Sequence, residues 1–156
     1  ASPSAIRETQ TVMASLNKKA KKVAERYHVS ACTDITGFGL LGHCVEMAEA
    51  SEVTFELRVR DIAYMEDAID YAKMGLVPAG AYKNRGYSMN KVETGGVEEH
   101  YIDLLYDPQT SGGLLLSVAP EELESVMRDF EHAHMDTKVS VIGKVGPKSD
   151  KLIVLS

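Results

Sequence analysis

The sequence contains only two cysteines, too few for the disulfide framework that stabilises many small secreted domains. Cys32 falls in a predicted strand and Cys44 in a predicted helix, and neither has a partner at the Cys-x-x-Cys spacing of redox sites. We therefore expect buried, reduced, structural thiols and a cytoplasmic protein.

Long apolar runs and excess positive charge are also missing. No window approaches the ~20 apolar residues that a membrane-spanning helix needs, and no secretory signal is recognisable. The 17 Lys and Arg residues are outnumbered by 23 Asp and Glu residues, which gives a net charge of −6. Nucleic-acid backbones are bound mainly through Lys and Arg, so we expect neither a nucleic-acid nor a membrane partner. A basic cluster at Lys18, Lys19, Lys21 and Lys22 lies on the polar side of a helical pattern, as a solvated face does.

The residues that are present describe an ordinary globular domain. Apolar residues make up 44% of the chain, and its 156 residues suggest one domain, 1–156. Hydrophobic periodicity predicts helices over residues 7–27, 39–50, 61–74 and 81–89 and from residue 120, and strands over residues 29–35, 53–59, 114–118, 139–145 and 152–155. This rhythm predicts an α+β fold, with a mixed sheet and helices packed chiefly on one face. The strand at 53–59 alternates apolar and polar residues, which indicates one buried and one wet face.

The first chemically suggestive segment is Asp34 with the glycine-rich turn that follows it, between a predicted strand and a predicted helix. A helix start presents unpaired N–H groups and a positive dipole end, so anions gather there. A nearby Asp can hold the Mg²⁺ that accompanies a polyphosphate, while Gly37 and Gly39 supply a permissive backbone. The alternative is an ordinary corner in which Thr36 caps the helix and the turn holds Asp34 by hydrogen bonds.

A second loop, DPQTSGG at residues 107–113, leads into the strand predicted at 114–118. Its hydroxyls and glycines suit either an approach to phosphate or the shaping of a cleft. The alternative is a Pro-Gln turn that feeds a buried strand. Asn84 has a similar ambiguity, since it could contact a ligand or brace a turn. His43, one turn into the second helix, either faces the anion site or packs, and His132 and His134 are placed at a helix end rather than in a zinc site.

Together, TDITGFGLLGH at residues 33–43, PAGAYKN at 78–84 and YDPQTSGGLLLSV at 106–118 resemble the carboxy-terminal half of selenophosphate synthetase (selenide, water dikinase). The resemblance runs from about residue 6 to the end. It implies an α/β sandwich like the second domain of aminoimidazole ribotide synthetase. Nothing matches that family's amino-terminal domain, with its glycine-rich loop and its reactive Cys or selenocysteine followed by Lys. The resemblance therefore implies one domain of a two-domain enzyme, with the amino-terminal catalytic domain absent.

The same resemblance implies a function. In that family ATP lies between the domains, and the aspartate of the first motif joins others around the metal ions, which makes Asp34 a Mg²⁺ ligand. The implied cleft residues are Thr33, Thr36, Gly37, Gly39, Asp107, Thr110, Ser111, Gly112 and Gly113. The full-length protein, expected as a homodimer, makes selenophosphate, AMP and phosphate from selenide, ATP and water. No catalytic residue is expected here, and the isolated chain is expected to be inactive.

Two rival interpretations stay open. One is another ATP enzyme of the same superfamily, such as a ribotide synthetase, against which the wording of the DPQTSGG loop argues. The other is a standalone binding or regulatory module that keeps the fold without catalysis.

Overall fold

The chain adopts the predicted α+β fold in a computed structural model that describes residues 1–65 and 67–156. The helices are α1 (Pro3–Ala14), α2 (Lys18–Ala24), α3 (Gly39–Ser51), α4 (Ala68–Lys73), α5 (Ala79–Ser88), α6 (Glu99–Leu105) and α7 (Leu123–His132). The strands are β1 (Val29–Asp34), β2 (Val53–Leu57), β3 (Val92–Glu93), β4 (Leu114–Val118), β5 (Gly143–Pro147) and β6 (Ile153–Leu155). Within these described residues, no helix is long and apolar enough to span a bilayer.

The strands form two sheets. The larger has the order β3-β6-β2-β5, in which β6 runs parallel to both neighbours and β5 runs antiparallel to β2. This is the mixed sheet that the sequence predicts. On its outer face Glu56 lies opposite Lys144, and their side chains form an ion pair of 3.0 Å. The second sheet is the antiparallel pair of β1 and β4.

The main hydrophobic core lies between the larger sheet and helices α3, α5 and α6. The sequence predicts a buried stripe of α3 made of Leu40, Leu41, Cys44, Val45 and Ala48. The last four are each at most 1% exposed, whereas Leu40 is only partly buried. Burial raises the pKa of the Cys44 thiol to about 12, so this cysteine is the structural residue that the sequence predicts.

A second, smaller core lies between α2, α7 and one face of β4. Leu114, Leu116 and Val118 pack against this cluster, whereas Leu115 packs against the main core. Successive side chains of a strand point to opposite faces, so β4 joins the two cores. The loop that precedes β4 is therefore anchored directly to the interior of the protein.

The prediction of one long helix over residues 7–27 is wrong, because two helices occupy that segment. Ser15 has an extended backbone, and its hydroxyl donates to the Thr11 carbonyl, which ends α1. None of the residues of α1 is buried. Helix α2 packs on α7, and local periodicity cannot predict that contact.

The prediction for residues 61–74 also places the start of the helix too early in the chain. A 3₁₀ turn covers Val59–Asp61, and α4 starts only at Ala68. The Asp61 carboxylate accepts a hydrogen bond from Arg58 Nε rather than capping a helix. Residue 66, inside that predicted helix, lies outside the described residues. Gly75 ends α4 as predicted, with a φ of 76°.

Three further differences come from long-range pairing. The strand predicted at 139–145 begins only at Gly143, and just before it the carbonyls of Val141 and Ile142 accept hydrogen bonds from Arg58. Thr54, expected on the wet face of β2, is buried, and its hydroxyl donates to the Lys151 carbonyl at 2.8 Å. Strand β3 and helix α6 were not predicted, since β3 exists only through its pairing with β6.

Candidate functional site

The two glycine-rich motifs lie side by side although they are far apart in the sequence. In the β1–β4 ladder Asp34 pairs with Leu114. Beyond the strands the pairing continues, since the Ile35 N–H donates to the Gly113 carbonyl and the Gly112 N–H donates to the Ile35 carbonyl, both at 3.0 Å. The Gln109 N–H donates to the Thr36 carbonyl at 3.1 Å. Residues 33–39 and 107–113 thus form one unit, which we name the motif corner.

Two glycines allow the backbones of this corner to touch. Gly39 has a φ of +70°, and a Cβ built there would lie 2.7 Å from the Tyr106 carbonyl carbon. At Gly112 a Cβ would lie 2.4 Å from the Ile35 carbonyl oxygen. Any side chain at these positions would force backbone apart, so both glycines are required by packing. The neighbouring Tyr106 is completely buried, which leaves no room for that movement.

Asn84 connects α5 to the motif corner. Its Nδ2 donates to the Gly37 carbonyl at 2.9 Å and to the Tyr106 carbonyl at 3.0 Å. One amide therefore holds the TGFG turn against the end of α6. Of the two roles that the sequence left open for Asn84, these hydrogen bonds support bracing.

Asp34 is exposed at the end of β1. Among residues 1–65 and 67–156, none forms a hydrogen bond or ion pair with its carboxylate. The turn does not hold it, contrary to the alternative interpretation. Thr36 does not cap α3 either: its hydroxyl lies 3.1 Å from His43 Nε2, and the residue before the helix, Phe38, makes no side-chain cap. An exposed carboxylate without an internal partner is free to bind a hard cation.

No group of three or more potential metal-ligating side chains occurs in the part of the chain that the structure describes. Within those residues Asp34 therefore offers a single carboxylate rather than a complete metal site. Mg²⁺ commonly uses one or two protein carboxylates with phosphate oxygens and water, so a single Asp fits such a site as a partial contribution.

The other predicted site residues differ in how exposed they are. Gly37, Thr110 and Gly113 are exposed, whereas Thr33 and Ser111 are half-buried. Around Gly37 and Gly113 no atom would lie within 4 Å of an added Cβ. Gly37 is not among the glycines of positive φ, so the special backbone predicted for it is not used.

Asp107 is held inside its own loop. Its Oδ2 accepts a hydrogen bond from Gln109 Nε2 at 2.6 Å. Burial raises the pKa of this carboxyl, and the bond from Gln109 opposes that shift. Unlike Asp34, Asp107 is already engaged within the corner.

Cys32, two residues before Asp34, is exposed, whereas the sequence predicted a buried thiol. Partial burial, and then the negative charge of Asp34, raise the pKa of its thiol. A raised pKa disfavours the nucleophilic thiolate, so the local electrostatics do not activate this cysteine.

Two residues, Gln109 and His43, brace the motif corner although the sequence did not predict this role for them. Gln109 holds the second loop to the first through its backbone N–H, while its side chain bonds Asp107 within the second loop. His43 contacts Thr36 from α3. The position of His43, one helical turn beyond Gly39, is the only sequence signal that points to such a contact.

Residues 4–155 match the family of AIR synthase related protein, C-terminal domain. The chain is 44% identical over 148 residues to Selenide, water dikinase 2 of Peptoclostridium acidaminophilum, covering 95% of this chain and 42% of the relative. It is 46% identical over 145 residues to Selenide, water dikinase of Clostridioides difficile strain 630, covering 92% and 41%. With the protein of that name from Caldanaerobacter subterraneus, identity is 45% over 139 residues, covering 89% and 40%. The chain thus spans about two fifths of the length of these curated relatives.

Proposed function

Because the chain belongs to the family of AIR synthase related C-terminal domains, we propose that it is the carboxy-terminal domain of a selenide, water dikinase. Together with an amino-terminal domain it makes selenophosphate from selenide, ATP and water, and it releases AMP and phosphate. The greater length of the relatives and their printed names support this proposal. We further propose that the complete enzyme is a cytoplasmic homodimer.

The observation that carries the proposal is the contrast between Asp34 and its surroundings. The loops of the motif corner are tied together by backbone hydrogen bonds and by Asn84, yet the Asp34 carboxylate points to no donor among the described residues. A rigid support with one free carboxylate is suited to hold a metal ion at a defined position.

We assign Asp34 as one ligand of a Mg²⁺ that accompanies ATP. The ion bridges and neutralises phosphate oxygens, which is the chief requirement of phosphoryl transfer. The exposed Gly37 and Gly113, with Thr33, Thr110 and Ser111, form one wall of the nucleotide cleft. Thr36, Gly39, Asp107 and Gly112 shape that wall from inside. The opposite wall belongs to the amino-terminal domain.

Asp34→Asn in the complete enzyme tests this assignment. Asn keeps the shape and one acceptor oxygen but loses the charge that binds Mg²⁺. Loss of residues around a metal ligand costs 10- to 100-fold, so loss of the ligand itself should lower selenide-dependent AMP formation by roughly 100-fold or more. The melting temperature should hardly move, because the carboxylate has no partner among the described residues.

Asp150→Asn is the matched control, since Asp150 is exposed and likewise has no hydrogen bond or ion pair within residues 1–65 and 67–156. It should turn over normally. Near-normal turnover of Asp34→Asn at ordinary Mg²⁺ concentration would show that Asp34 is not a metal ligand.

The two rival functions predict different behaviour of the 156-residue chain itself. Under our proposal it folds but forms no AMP from ATP, because the nucleotide is positioned from both sides of a cleft. Sustained AMP formation by the purified chain would contradict the half-enzyme role. A gene that encodes no glycine-rich Cys/Sec-Lys domain upstream would favour the standalone module.

A further inference from the structure

His43 lies where α3 meets the motif corner, and it is only 8% exposed. The Thr36 backbone N–H donates to His43 Nε2 at 3.1 Å, and the Thr36 hydroxyl lies at the same distance from that nitrogen. On the other side of the ring, Nδ1 lies 3.2 Å from Glu46 Oε2. Every polar atom of this imidazole thus faces a partner.

These contacts define the tautomer of the ring. A backbone N–H can only donate, so Nε2 must accept and carries no proton. The proton of the neutral imidazole is then on Nδ1, which lies 3.2 Å from Glu46 Oε2. The Thr36 hydroxyl faces the same Nε2 lone pair and also donates to it. The Thr36 N–H therefore requires the Nδ1-protonated tautomer, and the nearby negative charge of Glu46 favours a proton on that nitrogen.

The His43 side chain accepts the hydrogen bond of the Thr36 N–H, whereas the Thr36 carbonyl and both backbone groups of Ile35 have backbone partners. The Thr36 carbonyl accepts from Gln109 and Gly39, while the Ile35 N–H and carbonyl pair with Gly113 and Gly112. His43 thus completes the backbone hydrogen bonding of Ile35 and Thr36, the two residues that directly follow Asp34.

Phe38 packs beside the His43 ring. The two ring centroids are 5.7 Å apart and tilted by 59°. Gly42 permits this arrangement, since a Cβ there would lie 2.6 Å from the Phe38 Cβ. The imidazole is thereby held by its hydrogen bond from the turn and by its aromatic neighbour, with Glu46 beside Nδ1.

We infer that His43 is a positioning residue, whose unprotonated Nε2 holds Thr36 and so orients Asp34 and the TGFG turn. The ring lies outside the metal site and acts on it through one backbone amide. Its consequence for catalysis rests on the proposed function, whereas its tautomer and its bond to Thr36 do not.

Nitrogen-15 NMR of the 156-residue chain tests the structural part directly. The His43 shifts should show a protonated Nδ1 and an unprotonated Nε2, with a through-hydrogen-bond coupling between Nε2 and the Thr36 amide nitrogen. Glu46→Gln should reduce the preference for this tautomer. A proton on Nε2, or no coupling to Thr36, would overturn the inference in the unmodified chain.

The catalytic part uses the complete enzyme and three histidine variants. His43→Leu keeps bulk but removes the acceptor, whereas His43→Gln returns an acceptor oxygen near the position of Nε2. We expect kcat/KM for Mg-ATP to fall roughly 10- to 100-fold in His43→Leu, as for other residues that orient a metal ligand. His43→Gln should recover part of that loss. The exposed His28→Gln is the control and should behave as the parent protein.

The outcomes separate the two hypotheses. If His43→Leu is fully active, or if Leu and Gln variants of equal melting temperature are equally impaired, His43 does not position the corner. If Asp34→Asn is fully active, the proposed metal site fails whatever His43 shows. An inactive Asp34→Asn with a fully active His43→Leu overturns only the role of His43.

Discussion

The motif corner has two sides that the chain fills very differently. On the inner side, added Cβ atoms at Gly39 and Gly112 would meet backbone at 2.7 and 2.4 Å. On the outer side, at Gly37 and Gly113, they would meet nothing within 4 Å. The fold therefore requires the inner glycines and does not require the outer ones. What keeps the outer positions bare, under our proposal, is a ligand that approaches from outside.

Hydrogen bonding shows the same difference between the inner and outer sides of the motif corner. On the inner side the carbonyls of Ile35 and Thr36 both accept hydrogen bonds from backbone N–H groups. On the outer side the Asp34 carboxylate has no such partner in the described residues. Hydrogen bonds made within the chain contribute to folding, whereas an exposed charge left free contributes little, so the outer side can serve binding without a large effect on stability.

Gly39→Val is expected to have the largest effect on the free energy of unfolding. Valine combines an unfavourable positive φ with a clash against Tyr106, which together cost about 3–5 kcal/mol. Urea denaturation of the chain measures this loss. Gly75→Val is the control, because Gly75 has a φ of +76° but open space around its Cβ position. Equal losses in the two variants would mean that the close approach to Tyr106 contributes nothing.

Gly112→Ala tests the inner side without positive φ. Its methyl group would meet the Ile35 carbonyl oxygen, so we expect a loss of about 1–3 kcal/mol in the free energy of unfolding. The adjacent Gly113→Ala adds the same methyl group in open space and should lie within about 0.5 kcal/mol of the parent. If both alanines behave alike in urea denaturation, the inner and outer sides do not differ as the structure indicates.

Asp107→Asn is expected to have a smaller effect on the free energy of unfolding, and to stabilise the protein near neutral pH rather than destabilise it. The pKa of Asp107 is raised in the folded state, so between the ordinary value of 3.8 and the raised value the folded state binds more protons than the unfolded state. Stability from this group is therefore lost as pH rises through that window. Asn removes the buried charge and can still accept from Gln109, so the variant should be more stable than the parent near neutral pH.

That gain should disappear on acidification, because the parent carboxyl is then protonated as well. Urea denaturation near neutral pH and below pH 3.8 measures both ends of the window. The exposed Asp150→Asn should show no comparable gain. A destabilised Asp107→Asn at neutral pH would indicate that the charge itself, rather than the shape of the side chain, supports the loop.

The sequence predicted the parts of the fold whose signals are local. Strand β4 was predicted to the residue, and α3 within one residue, because each combines a clear apolar pattern with glycine boundaries. The break between α1 and α2 was missed, since a Ser15 hydroxyl bond and packing against α7 decide it. Strand β3 depends wholly on a distant partner, so its own two residues carry no usable signal.

The candidate site shows the same limit. Asp34 and the glycines were identifiable from motif and resemblance, and their functional roles stay predictions. Their mutual arrangement was not identifiable, because it depends on Gln109, on Asn84 and on the Tyr106 backbone, all distant in sequence from the first motif. Local patterns also could not distinguish Gly39 from Gly37, although only the former has a positive φ.

Gly37→Ala is expected to have the smallest effect on the free energy of unfolding, and it tests most directly whether the outer side of the corner serves binding. Nothing surrounds its Cβ position and its φ is not positive, so the free energy of unfolding should change by less than about 0.5 kcal/mol. In the complete enzyme, by contrast, a methyl group on the outer side should raise the KM for Mg-ATP, and the larger Gly37→Val should raise it further, because each obstructs an approaching phosphate. Gly86→Ala in α5, also in open space, serves as the control away from the corner. An unchanged KM in both Gly37 variants would show that no ligand needs the open outer side.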